Sequence, residues 1–119
     1  MKLTALTPML WTDNLENSIA FYRDLLGFQC AAQMDGWASL EREGIELMLS
    51  LPNQHEPYDR PRFSGSFYLR CDDVDAWWER LKEKATVVYP IETFDYGMRE
   101  FAIRDNNGYI LQFGKPIDE

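Results

Sequence analysis

Few groups in this chain are able to do chemistry, and their spacing excludes more than it supports. The one histidine, His55, sits between Gln54 and Glu56 in a polar stretch, where an imidazole is ordinarily solvated. No serine or cysteine shares a motif with a histidine, so nucleophilic catalysis has no base to start it. No glycine-rich loop is present to cradle a phosphate. Glu46 stands out because Ile45, Leu47 and Met48 flank it, and a carboxylate is costly to bury unless paired or neutral. Three roles are open to it: an ion pair with Arg70, attraction of a cationic ligand, or exposure at a strand edge. Trp37, after Asp35-Gly36, and Phe94 and Tyr96, in ETFDYGMRE, offer rings that stack on a planar or cationic ligand or else pack a sheet and a turn. Met9 and Met48 supply adaptable apolar surface or core filling. Arg99 and Glu100 are adjacent and point to opposite faces of a regular strand, where one of them either anchors an anion or closes an internal salt bridge.

The elements that must position these groups are legible from periodicity. NLENSIAFYRDLL, residues 14 to 26, places Leu15, Ile19, Tyr22 and Leu26 at helical spacing. Asp13 with Glu16 forms a capping-box pattern, Asn14 is the other cap candidate, and Gly27 ends the helix. A second helix runs through VDAWWERLKEK, capped by Asp72 or Asp73, with Val74, Trp77, Trp78 and Leu81 on one side. Strand-like runs precede the helices, at 3 to 11 and 65 to 70, and three more follow each: FQCAAQM, WASLERE and IELMLSL, then ATVVYPI, REFAIRD and YILQFGK. The order strand, helix, three strands therefore occurs twice, which points to internal duplication. We expect one domain over 1–119, with modules at 1–51 and 65–119 and a Pro-rich polar connector at 52–64. The fold class is α+β.

Composition sets the outer bounds. The chain has 119 residues, 45% of them hydrophobic and 14% aromatic, enough to fill a core and too apolar for disorder. Its formal charge of −8 argues against nucleic acid, whose binding needs clustered basic surface. No apolar run approaches the ~20 residues of a membrane helix, and the first residues lack a cleavage signal. Cys30 and Cys71 are too few for a disulfide framework and read as reduced thiols, so a cytoplasmic location is expected.

TDNLENSIAFYRDLLGF and YGMREFAIRDNNGYILQFGKP resemble the two signature stretches of the vicinal oxygen chelate superfamily, which includes glyoxalase I, extradiol dioxygenases, fosfomycin-resistance enzymes and bleomycin resistance proteins. The resemblance implies paired βαβββ modules forming a curved mixed-sheet trough. With Leu10, Phe67, Leu69, Leu111 and Phe113 beneath the helices, alternation turns Thr7, Met9, Trp11, Glu46, Met48, Ser66, Tyr68 and Gln112 inward. The metal ligands of related enzymes correspond to Thr7, Glu46, Ser66 and Gln112, of which Glu46 alone is a carboxylate. That departure points to the metal-free bleomycin resistance branch. The same resemblance implies a homodimer with Pro8 where the first strand crosses to a partner, and aromatic binding positions at Trp37 and Tyr96. Ser66 and Ala32 stand where drug binders carry aromatics. The expectation is a protein that binds a small aromatic or cationic molecule through Trp37, Glu46, Ser66, Tyr68, Phe94, Tyr96 and Arg99, with no metal or cofactor. The alternative is a glyoxalase- or dioxygenase-type enzyme with an atypical metal site around Glu46.

Overall fold

The structure is a computed structural model and describes residues 1–118. The chain forms two compact units, Met1–Pro61 and Arg62–Glu119. The first contains β1 (Met9–Trp11), α1 (Leu15–Asp24), β2 (Gln29–Met34), β3 (Trp37–Arg42) and β4 (Ile45–Ser50). The second repeats that order with β5 (Phe67–Arg70), α2 (Val74–Leu81), β6 (Thr86–Thr93), β7 (Met98–Arg104) and β8 (Ile110–Pro116). Each unit holds one mixed four-stranded sheet, in the order β1-β4-β3-β2 or β5-β8-β7-β6. The strand before each helix pairs parallel to the last strand of its unit, and the other pairs are antiparallel. The doubled α+β plan expected from sequence is therefore present, one copy per unit.

The strands alternate between a face under the helix and a face turned away from it. Under α1 lie Leu10, Ala38, Leu40, Leu47 and Leu49, buried with Ile19, Tyr22 and Leu26 of the helix and its C-terminal turn. Under α2 lie Phe101, Ile103, Leu111 and Phe113. Trp77 tilts over Phe113 and Trp78 over Phe101, at 5.3 and 5.2 Å between centroids, so both tryptophans are spent on this core. Phe67 and Leu69 share that face but are only half-buried.

Element ends differ from the sequence expectations for local reasons. The strand expected over 3 to 11 pairs only from Met9, because backbone bonding to β4 begins where Met48 N–H donates to Pro8 O, at 2.9 Å. Asn14, not Asp13, caps α1: its backbone is extended and its Oδ1 accepts from Asn17 N–H at 3.0 Å. Glu16 is drawn outward to Gln33 Nε2 instead of closing a capping box. Asp73 caps α2, accepting from Ala76 N–H at 3.1 Å. Gly27, at φ 75°, ends the first helical segment as expected, and Arg42 crosses it to donate to Leu26 O, leaving no room for a side chain. No helix among the described residues is long and apolar enough to cross a membrane.

Thr12 fastens α1 to its sheet. Fully buried, it donates its N–H to Ser50 O, while its hydroxyl accepts from Ser18 Oγ at 2.8 Å and donates to Asn14 O. Thr12→Val keeps the shape and removes the buried acceptor used by Ser18 Oγ and by the Asn14 N–H, a loss expected at about 1–3 kcal/mol. Asp73→Ala removes an exposed cap and is expected to cost about 1 kcal/mol. Urea denaturation of both variants should rank Thr12→Val as the more damaging.

Candidate functional site

The faces turned away from the helices carry the polar groups. In the first unit Trp37, Ser39, Glu41, Glu46 and Met48 share that face by register. Glu46 is exposed and its two oxygens accept from Thr7 Oγ1 at 2.7 Å and Ser39 Oγ at 3.0 Å. Short hydroxyls suffice there because water reaches the carboxylate as well. Trp37 is half-buried opposite Ser50, and Met9 beside Met48 is exposed. Pro8 precedes β1, and His55, exposed in the connector, donates its N–H to Asn53 Oδ1.

The second unit builds a denser site. Glu100 sits on β7, interior to its sheet and only 3% exposed, on the face away from α2. Tyr68, from β5, donates its hydroxyl proton to Glu100 Oε2, and Tyr96, from the β6–β7 turn, donates to Oε1. Tyr68 reaches Glu100 by crossing β8 at Gly114, which stands opposite Glu100 in register. A Cβ at Gly114 would collide with the Tyr68 hydroxyl and ring, so glycine is required there for space. Tyr89 adds a third phenol near the carboxylate; it accepts from Gln112 Nε2 at 2.8 Å, and Ser66 Oγ donates to Gln112 Oε1 at 2.5 Å. Phe94 stacks parallel on Tyr96 at 5.4 Å and meets Tyr89 edge-on at 5.7 Å, which holds the turn over the cluster.

The Tyr68 phenol is pushed well above the ordinary tyrosine range, first by burial, then by its hydrogen bond to Glu100 and by that carboxylate's charge, with Arg70 partly opposing. Burial also raises Tyr89, and Glu100 adds to it against the lowering effect of Gln112.

Of the residues expected at a site, Ser66, Tyr68, Phe94 and Tyr96 are thus joined in one network within the second unit. Trp37 and Glu46 lie in the first unit, four ladder positions apart on one face. Arg99 goes elsewhere: it points to the opposite face of β7 and forms an ion pair with Asp75 of α2 at 2.8 Å, with a further bond to Thr93. A depression of about 380 Å³ adjoins that pair. Tyr89 is a functional candidate that sequence reasoning missed, and Glu100 was set on the face opposite Arg99 without being assigned to the site. The available signals were a carboxylate directly before the apolar run FAI and a glycine inside the strand ILQFGKP, a mark of close approach.

Thr7, Glu46, Ser66 and Gln112, the positions to which the resemblance carries the metal ligands of related enzymes, do not have the donor chemistry of a divalent transition-metal site. Their donors are two hydroxyls, an amide and one carboxylate, and Ser66 and Gln112 are already hydrogen-bonded to each other. Among the described residues no group of three or more His, Cys, Asp or Glu is placed to hold a metal ion.

The tyrosine cluster has a measurable alkaline signature. Because folded Tyr68 holds its proton more tightly than unfolded tyrosine, the stability it adds is full below about pH 10 and is lost as pH rises through the folded value. Denaturant titrations across that range should show a falling limb that Tyr68→Phe flattens. Spectrophotometric titration of Glu100→Gln should bring the late-ionising phenol back toward the ordinary range. Gly114→Ala should displace Tyr68 and give the same early ionisation, with a stability loss of about 1–3 kcal/mol.

Comparison with curated protein sequences finds no match. Among solved structures, the chain is similar to a superfamily member from Sphaerobacter thermophilus DSM 20745, with TM-score 0.83 and 20% identity over 96% of this chain and 98% of that one. It is also similar to TioX from Micromonospora sp. ML1, with TM-score 0.74 and 20% identity over 95% and 98% of the two chains. A lactoylglutathione lyase from Agrobacterium tumefaciens gives TM-score 0.72 and 23% identity over 94% and 92%. At these identities the likeness is one of fold. The model of the Glyoxalase/Bleomycin resistance protein/Dioxygenase superfamily matches residues 4–113, and the chain, with its doubled strand-helix-three-strand order, belongs to that superfamily.

Proposed function

We propose that this protein binds and sequesters a small aromatic or cationic molecule, without a metal and without making or breaking bonds in it, and that it does so as a cytoplasmic homodimer. One observation carries the reading: Ser66 and Gln112, at two of the positions where metal-dependent relatives hold ligands, spend their polar atoms on each other and on Tyr89. What surrounds them is aromatic surface. Tyr68, Phe94 and Tyr96 supply it within the second unit, and in the first unit Trp37 and the exposed Glu46 carboxylate lie on the sheet face turned away from α1. Exposed Met9 supports the reading further, since a flexible thioether adapts to an apolar ligand or to a second copy of the chain. Pro8, at the point where β1 begins, is the position from which the first strand would pass to the partner.

Calorimetric titration of chelator-treated protein with Ni²⁺, Mn²⁺, Fe²⁺ and Zn²⁺ should give no stoichiometric binding. Tight binding that Glu46→Gln abolishes would instead overturn this reading and point to an enzyme with a metal site at that residue. Sedimentation equilibrium should return the mass of two chains.

A further inference from the structure

We propose that the face of the second sheet turned away from α2 is a surface of hydrogen-bond acceptors selecting aromatic cations with N–H donors, such as aryl ammonium or amidinium compounds, and that Glu100 is the positioning residue that sets this preference. The inference rests on the sequestration reading and names the ligand class for that same site.

A serine or tyrosine hydroxyl has one proton to give and lone pairs to accept with. Tyr68 and Tyr96 both commit their protons to Glu100, one to each oxygen. Ser66 commits its proton to Gln112 Oε1, and Gln112 Nε2 is committed to Tyr89. What Ser66, Tyr68 and Tyr96 still present is oxygen lone pairs and ring faces. An ammonium or amidinium group finds acceptors there, and a carboxylate or phosphate finds no donor among these hydroxyls. Access is open, since Tyr68 is 42% and Tyr96 62% exposed although Glu100 beneath them is buried. Ring faces add to the preference, because a cation is attracted to a π-face. The formal charge of −8 favours the same sign of ligand. Arg70 opposes it: exposed, two residues from Tyr68 on the same strand face, its charge acts on that phenol.

The test uses fluorescence titration of the full chain with three flat probes of similar size: proflavine, a cation with amine donors; acridone, uncharged; and anthracene carboxylate, an anion. The expected result is proflavine binding about tenfold or more tighter than either of the others, the scale of one hydrogen bond to a charged group. In Glu100→Gln the amide must itself donate to one phenol, which turns that hydroxyl's proton outward, and the preference for proflavine should fall about tenfold with acridone nearly unchanged. Arg70→Gln should tighten proflavine. If Glu100→Gln does not fold, Glu100→Leu/Tyr68→Phe/Tyr96→Phe removes the buried carboxylate together with both phenol partners, keeps the rings and should erase the preference for proflavine over acridone. Equal binding of all three probes to the unaltered protein would overturn the charge selection and leave sequestration standing. Tightest binding of the carboxylate, lost in Arg70→Gln, would overturn it in favour of an anion site. Binding of none would overturn both readings.

Discussion

A carboxylate on an interior strand of a sheet must be supplied with hydrogen-bond donors, and that constraint organises the second unit. Leaving Glu100 buried without partners would cost several kcal/mol. The donors come from places far apart in sequence. Tyr68 must cross β8, so residue 114 has to be glycine. Tyr96 must fold back from the β6–β7 turn, which Gly97 permits by adopting φ 91°. Phe94 then packs on Tyr96 and keeps the turn in place. Each of these residues is explained by the carboxylate, and the carboxylate is tolerable only with most of them present.

The two units share an architecture and differ in how deeply their acidic groups lie. Glu46 is exposed, and two short hydroxyls plus solvent satisfy it. Glu100 is sealed, and phenols are the side chains long enough to bring both a donor and an apolar cover. Depth thus chooses the residue type of the partners: serine and threonine around one carboxylate, tyrosine around the other. It also decides what the surface shows to a ligand. Around Glu46 the charge itself is presented, whereas around Glu100 the charge acts through oriented hydroxyls.

Much of this fold was legible because its signals are local. Helical spacing at Leu15, Ile19, Tyr22 and Leu26, and again at Val74, Trp77, Trp78 and Leu81, located both helices. Alternation assigned Leu10, Leu111 and Phe113 to the covered faces and Tyr68 and Gln112 to the others. Choices decided by one hydrogen bond were not legible: Asp13 and Asn14 are equally good caps by type, and the backbone at Asn14 selected between them. The site was harder still. Alternation put Arg99 and Glu100 on opposite faces, but it could not say that Asp75 waits on one side and two tyrosines on the other. Those partners come from β5, from a turn and from α2, and only the completed sheet brings them together.

Membership of a superfamily with varied chemistries therefore carries less than the hydrogen-bond directions do. Parallel pairing of β5 with β8 sets Tyr68 beside Gln112 and brings Ser66 within reach of it. That register closes a hydrogen bond, because a hydroxyl and an amide satisfy each other. Once Ser66 has given its proton to Gln112, the amide's donor turns to Tyr89, whose phenol lies against Glu100. The Ser66–Gln112 pair thus does more than satisfy itself: through Tyr89 it is linked to the buried carboxylate that Tyr68 and Tyr96 also serve.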